Sequence, residues 1–202
     1  MKTPPRLILP FIAFYCLISA GSVFSQESAP SPERKVLRVF DGDTILVSPG
    51  EKVRLIGIDT METHDGEKLT RQARIYKLKE KEIKKQGNKS KKIVGKLLKG
   101  KWVRLEPGRE AKDAYGRTLA FVYFTMREDK LLKAVGQKFT EDRAPIEKEF
   151  MLNRVMVQYG WAEALTRYPF DYLGEFSQLE AKARENRWGI WKKLLKEDVQ
   201  KN

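Results

Sequence analysis

The chain has 202 residues, 41% of them hydrophobic and 33% charged, a balance that fits one soluble globular domain with a packed core. Its formal charge of +13 favours a polyanionic partner, although a basic surface also serves solubility. A single cysteine and a single histidine exclude a disulfide framework, a multi-histidine metal site and any mechanism that needs two imidazoles.

Residues 1–25 read as an export signal. Lys2 and Arg6 precede the apolar run from Leu7 to Ala20, and Val23-Phe24-Ser25 offers small residues for cleavage after Ser25. The competing reading, an uncleaved anchor, is weakened by the shortness of the run and by Pro10. Cleavage removes Cys16, so the expectation is an exported protein, secreted or periplasmic, with no disulfide and no stable membrane association. Residues 26–34 read as a linker, on the strength of QESAPSP at its start.

Three runs rich in branched residues, 35–40, 44–47 and 52–58, predict a meander of strands, with Gly57 allowing a bend in the third. The last two are joined by a Ser48-Pro49-Gly50-Glu51 turn. A turn centred on Pro49-Gly50 sets Asp43 opposite Ile56, Ile45 opposite Arg54 and Asp41 opposite Ile58, and places Asp41, Asp43 and Arg54 on one face. Asp59 and Glu62 follow just past these pairs. So many carboxylates at one sheet end call for a compensating cation, and an oxygen-only set suits calcium or magnesium better than zinc. The plainer alternative makes Asp41-Gly42-Asp43 a turn and the other acids solvated charges.

Apolar spacing from residue 68 to 99 predicts two helical pieces broken at Gly87, with the lysines of 77–92 mostly on a solvated face. Runs 101–106 and 118–124 supply two more strands, with Asp113 to Arg117 in the loop between them. Five short strands with a helical insertion between the third and fourth match an α+β fold built on a small closed barrel of the oligonucleotide-binding (OB) type. Residues 125–148 are polar and without an assigned role. Helices are expected over 150–159 and 174–187, and Trp188-Gly189-Ile190-Trp191 is expected to cap the core.

Asp43-Thr44, Arg54, Asp59-Thr60-Met61-Glu62-Thr63 and Asp113-Ala114-Tyr115-Gly116-Arg117 resemble, in that order, the successive motifs of the staphylococcal nuclease (thermonuclease) family. The likeness covers most of the chain from Lys35 to Trp191. It implies a nuclease-like domain over 35–192 with C-terminal helices, followed by a charged tail over 193–202. It also implies a monomer that hydrolyses DNA and RNA with one calcium ion per site, leaving 3′-phosphate ends.

By the same resemblance Asp43 and Asp59 are metal ligands with the Thr60 carbonyl, and Asp41 holds water on the ion. Arg54 and Arg117 clamp the phosphate, Glu62 is the base, and Tyr115 and Tyr168 lie against a terminal phosphate and a base. Such roles suit phosphodiester hydrolysis, which needs a cation on a non-bridging oxygen, bidentate guanidinium contacts and a carboxylate to orient water. Three departures stand out: Met61 replaces a usual proline and should loosen the turn carrying Glu62, Thr166 replaces a frequent tyrosine, and the lysine-rich stretch lengthens the insertion. The rival reading is a nuclease-like barrel that only binds nucleic acid or protein. Such domains lose the acids and arginines that are all present here.

Overall fold

The computed structural model describes residues 32–195; the expected signal segment, residues 26–31 of the linker and residues 196–202 of the tail lie outside the described residues. Branched residues build the strands where they were expected: β1 (Arg34–Val39), β2 (Thr44–Val47) and β3 (Glu51–Leu55), then the two-residue β4 (Ile58–Asp59). After a helical insertion come β5 (Trp102–Lys112) and β6 (Thr118–Arg127). Antiparallel pairing runs β3-β2-β1-β5-β6, and a parallel pairing of β3 with β6 closes the ring. The result is a closed five-stranded barrel whose strands leave no open edge between β3 and β6. Its interior is filled by Ile45, Val47, Val53, Leu55, Val103, Ala120 and Val122, all buried.

The hairpin register differs from the expectation by one residue. Its loop holds three residues, Ser48 to Gly50, so the axis falls on Pro49 and Thr44, not Ile45, pairs with Arg54. Asp43 lies outside the ladder, where the amide of Leu55 donates to its carbonyl at 2.9 Å, and no Asp41–Ile58 pair forms. The third run ends at Leu55. At Gly57 (φ 73) the chain turns, and an added Cβ there would strike the ring of Phe170. β4 then pairs with β8 (Glu163–Ala164) outside the barrel.

The insertion forms α1 (Glu67–Tyr76) and α2 (Glu80–Leu98), and the break between them is at Lys77, not Gly87. Lys77 is left-handed (φ 51), and the amides of Lys77 and Leu78 bond the carbonyls of Arg74 and Ala73. Gly87 sits inside α2, on the face that also buries Ile83, Ser90, Val94 and Leu97.

The polar segment 125–148 extends the barrel. β6 continues to Arg127, α3 (Glu128–Val135) follows, and β7 (Glu147–Met151) returns along β6, so the next helix, α4 (Leu152–Gln158), starts later than expected. The segment is polar because it is solvated on its outer side, while Leu131 and Val135 of α3 reach the core. Glu128 secures it, ion-paired to Arg143 at 2.8 Å and Lys148 at 2.6 Å. α5 (Leu173–Glu185) and α6 (Trp191–Leu194) complete the described chain. Ile190 and Trp191 are fully buried, so the Trp-Gly-Ile-Trp segment closes the core as expected.

Asn153 joins α4 to the barrel. Its amide nitrogen donates to the carbonyls of Ile56 (2.8 Å) and Ala120 (3.3 Å), and its amide oxygen accepts from the amide of Val122 at 3.0 Å. Asn153→Ala takes this partner from the Val122 amide and the Ile56 carbonyl, while the Ala120 carbonyl keeps the Ile56 amide at 3.1 Å, and should cost about 2–3 kcal/mol in urea unfolding. Glu128 yields a second expectation. Hydrogen bonds from Arg143, then Lys148, lower its carboxyl from the ordinary 4.5 to about 2. A depressed carboxylate stabilises above its unfolded pKa and ceases to as pH falls toward the folded one. Glu128→Gln should therefore lower the melting temperature at pH 7, and the deficit should shrink between pH 4.5 and 2.

Candidate active site

Asp41-Gly42-Asp43 is a tight bend between β1 and β2, in which the Asp43 amide donates to Asp41 Oδ1 at 3.0 Å. Asp43 is only 5% exposed. Its Oδ2 accepts from the Thr60 amide (2.9 Å) and hydroxyl (2.8 Å), and its Oδ1 accepts from the Thr44 hydroxyl at 3.1 Å. Arg54, at the end of β3, bridges two acids, with Nη1 3.2 Å from Asp43 and Nη2 3.2 Å from Asp59. Asp43 and Arg54 thus meet despite the shifted register, because the bend frees Asp43 from the strand's alternation.

Burial pushes the Asp43 carboxyl up, but Arg54, Lys68 and its hydrogen bonds outweigh that and hold it below the usual range. Asp41 has weaker support, one bond from the Asp43 amide and the more modest pull of Arg54. Burial, then the charge of Asp43 beside it, raises its carboxyl to about 7. Two adjacent full charges therefore do not coexist comfortably at neutral pH without an added cation.

Glu62 is fixed by backbone. Its Oε1 accepts from the amides of Thr63 (2.7 Å) and His64 (3.1 Å), while its own amide donates to Gln72 Oε1 at 2.8 Å. Burial raises its pKa, and the His64 and Thr63 amides with the Lys68 charge more than reverse this, so Glu62 is ionised at neutral pH. Met61, at the position of the family's usual proline, is 1% exposed and packs in a second core with Leu69, Ile83 and Trp191, which ties the turn to α1 and α2.

Arg117 arrives from the β5–β6 loop. Asp113 shapes that loop by accepting the amides of Tyr115 and Arg117 through Oδ1 and Arg117 Nε through Oδ2 at 2.7 Å. Arg117 Nη1 then reaches Thr44 Oγ1 at 3.4 Å. One run of contacts therefore links Arg117, Thr44, Asp43, Arg54, Asp59, Lys68 and Glu62. Tyr115 is 85% exposed beside Arg117, whose guanidinium lies 5.5 Å from its ring centre. Tyr168, 60% exposed, is not joined to this network. It follows Thr166 and Arg167, which line a cleft of about 500 Å³ that starts at Asp59 and includes Arg71, Ile75 and Glu163.

The structure adds residues that sequence reasoning missed. Lys68 and Gln72 lie one turn apart on α1. Lys68 Nζ is 2.9 Å from Asp59 and 3.9 Å from Glu62, and Gln72 also donates to the Thr60 carbonyl at 3.3 Å. Their four-residue spacing was the available signal. Glu163 faces Asp59 across the β4–β8 pair, and burial, then Glu180 and Asp59, raise its carboxyl to about 7.

Among the described residues no three Asp, Glu, His or Cys side chains converge as a ready metal nest; Asp43 and Asp59 turn to Arg54 and Lys68 instead. The oxygen-only donors (Asp43, Asp59, the Thr60 carbonyl and the under-compensated Asp41) nevertheless fit a hard divalent cation.

A closed barrel with this acid and arginine cluster at one end defines a nuclease-like class. The family model described as staphylococcal nuclease homologue matches residues 52–193, and the chain belongs to that family. An uncharacterized protein of Methanocaldococcus jannaschii is 33% identical over 168 residues, 78% of this chain and 70% of that protein. A thermonuclease of Staphylococcus intermedius is 42% identical over 91 residues, 44% of this chain and 46% of that protein, so the match spans about half of it. The endonuclease YhcR of Bacillus subtilis is 28% identical over 178 residues, 82% of this chain and 12% of that protein.

Two glycines of α2 test how the Glu62 segment is supported. A Cβ on Gly87 would overlap the carbonyl oxygens of Met61 and Glu62, whereas one on Gly95 meets nothing within 4 Å. Gly87→Ala should cost about 1–3 kcal/mol by displacing backbone. Gly95→Ala should instead gain up to about 1 kcal/mol from helix propensity. Denaturant unfolding of the two variants checks both signs.

Proposed function

We propose that this protein is a calcium-dependent nuclease that hydrolyses phosphodiester bonds of DNA and RNA with little sequence preference and leaves 3′-phosphate ends. The observation that carries the reading is the single run of contacts that brings Arg54, Arg117, Asp43, Asp59 and Glu62 together from four separate stretches of sequence. Export by the segment over residues 1–25 is part of the same proposal, as is action as a monomer.

Asp43, Asp59 and the Thr60 carbonyl would hold the cation, with Asp41 beside them. When bound, calcium supplies positive charge to a non-bridging phosphate oxygen and a site for water. Glu62, kept ionised by two backbone amides, accepts a proton from the attacking water. The water oxygen bonds to phosphorus as the bond to the 5′ oxygen breaks, and the departing oxygen takes a proton from solvent. Arg117, anchored through Nε by Asp113, presents its Nη groups to the phosphate oxygens as charge builds there. Arg54 supports the opposite side. Tyr115 offers an exposed ring to the substrate without reading a base edge, which accounts for weak sequence preference.

The test compares cleavage of plasmid DNA, with calcium and with chelator, by the wild type and three variants. Glu62→Gln should keep calcium affinity in calorimetry while slowing cleavage. Asp43→Asn should weaken both. Arg117→Ala should raise the activation barrier by about 3–4 kcal/mol with little change in ground-state affinity. Full cleavage in chelator, or unimpaired cleavage by both Glu62→Gln and Arg117→Ala, would refute the mechanism.

A further inference from the structure

The longest helix, α2, turns one face into the protein and carries a row of lysines on the other. Lys81, Lys85, Lys89, Lys92 and Lys96 follow one another at three- and four-residue steps, so they stack along one stripe. All five are exposed. Ile83, Ser90, Ile93, Val94 and Leu97 occupy the buried side. Among the described residues the lysines that pair with a carboxylate are Lys68, Lys84 and Lys148, none of which belongs to the stripe. The helix's own acids, Glu80 and Glu82, are confined to its first turn.

Like charges at this spacing repel and weaken the helix that carries them. A polyanion laid along the row would offset that repulsion. We infer that the lysine stripe of α2 is an anchoring surface for nucleic acid, distinct from the candidate active site, that grips the phosphate backbone of a long substrate. The inference rests on the proposed function for its choice of polyanion.

Three features favour nucleic acid over an anionic membrane. The stripe contains no exposed apolar residue with which to enter a bilayer. From Lys81 to Lys96 the helix rises about 22 Å, the axial length of about six base pairs of duplex. Gly87 of the same helix rests on the Met61 and Glu62 carbonyls, so a strand held on the outer face is held by the element that supports the candidate base. Lysine contacts to phosphate carry no sequence information, which suits a substrate gripped anywhere along its length.

The test titrates a duplex of roughly 30 base pairs, in chelator, at several salt concentrations, where each phosphate contact contributes about 0.9 to the logarithmic salt slope. The wild type is compared with K81Q/K85Q/K89Q/K92Q/K96Q and with K35Q/K130Q/K133Q/K138Q/K182Q, a control with the same loss of charge at exposed lysines elsewhere. Circular dichroism melts confirm that both variants fold. The stripe variant should lose about three to four from the slope and the control no more than about one. Cleavage of plasmid should fall in the stripe variant, while cleavage of a dinucleotide-length substrate stays at the wild-type rate. Equal slopes for the two variants, or a flat wild-type slope, would overturn the inference. So would stripe-dependent binding to phosphatidylserine vesicles with unchanged duplex binding. If the wild type cleaves nothing, the proposed function fails, and the slope comparison still decides the stripe.

Discussion

The pairing of Asp43 with Thr60 is the contact on which the site depends. A carboxylate that is nearly out of water accepts both donors of one threonine, and so binds the β1–β2 bend to a loop 17 residues further along the chain. Everything beyond that loop inherits its position: Asp59 immediately before Thr60, Glu62 just after it, and Gln72 reaching back to the Thr60 carbonyl. A buried carboxylate is tolerable only with such donors and a countercharge, and Arg54 supplies the countercharge.

Charge in this cluster is poised, not balanced. Arg54 and Lys68 neutralise Asp43 and Asp59, while Asp41 and Glu163 are left with carboxyls lifted to about 7 by burial and neighbouring acids. The cluster therefore carries more potential negative charge than its own cations can hold. An excess of this kind is what a hard cation with oxygen ligands would offset.

Much of this was legible in the sequence because it depends on local pattern. Branched runs marked the five barrel strands, and Gly57 marked the bend. The spaced acids and arginines marked residues that lie in one run of contacts, Asp43, Arg54, Asp59, Glu62 and Arg117, whereas Tyr168 stands apart from it. What escaped depends on information that pattern does not carry. The register turned on whether the hairpin loop held two residues or three, a difference that Ser-Pro-Gly-Glu does not reveal. The helix break fell at Lys77, since a lysine can adopt a left-handed cap, and Gly87 was instead needed for close packing against Met61 and Glu62. Gln72 and Lys68 were hidden among polar residues of an amphipathic helix, where only the tertiary fold shows which of them turn inward.

The parallel pairing of β3 with β6 has a bearing on how the protein comes to work. It joins Val53, Arg54 and Leu55 to Thr118, Leu119 and Ala120, strands separated by the entire helical insertion and β5. Contacts so distant in sequence carry a larger loop-closure entropy than the hairpins around them. Arg54 lies within this seam and Arg117 directly precedes it. An unclosed barrel, even with every hairpin formed, holds its two guanidinium groups apart, so the approach of Arg54 to Arg117 depends on this long-range seam and not on secondary structure alone.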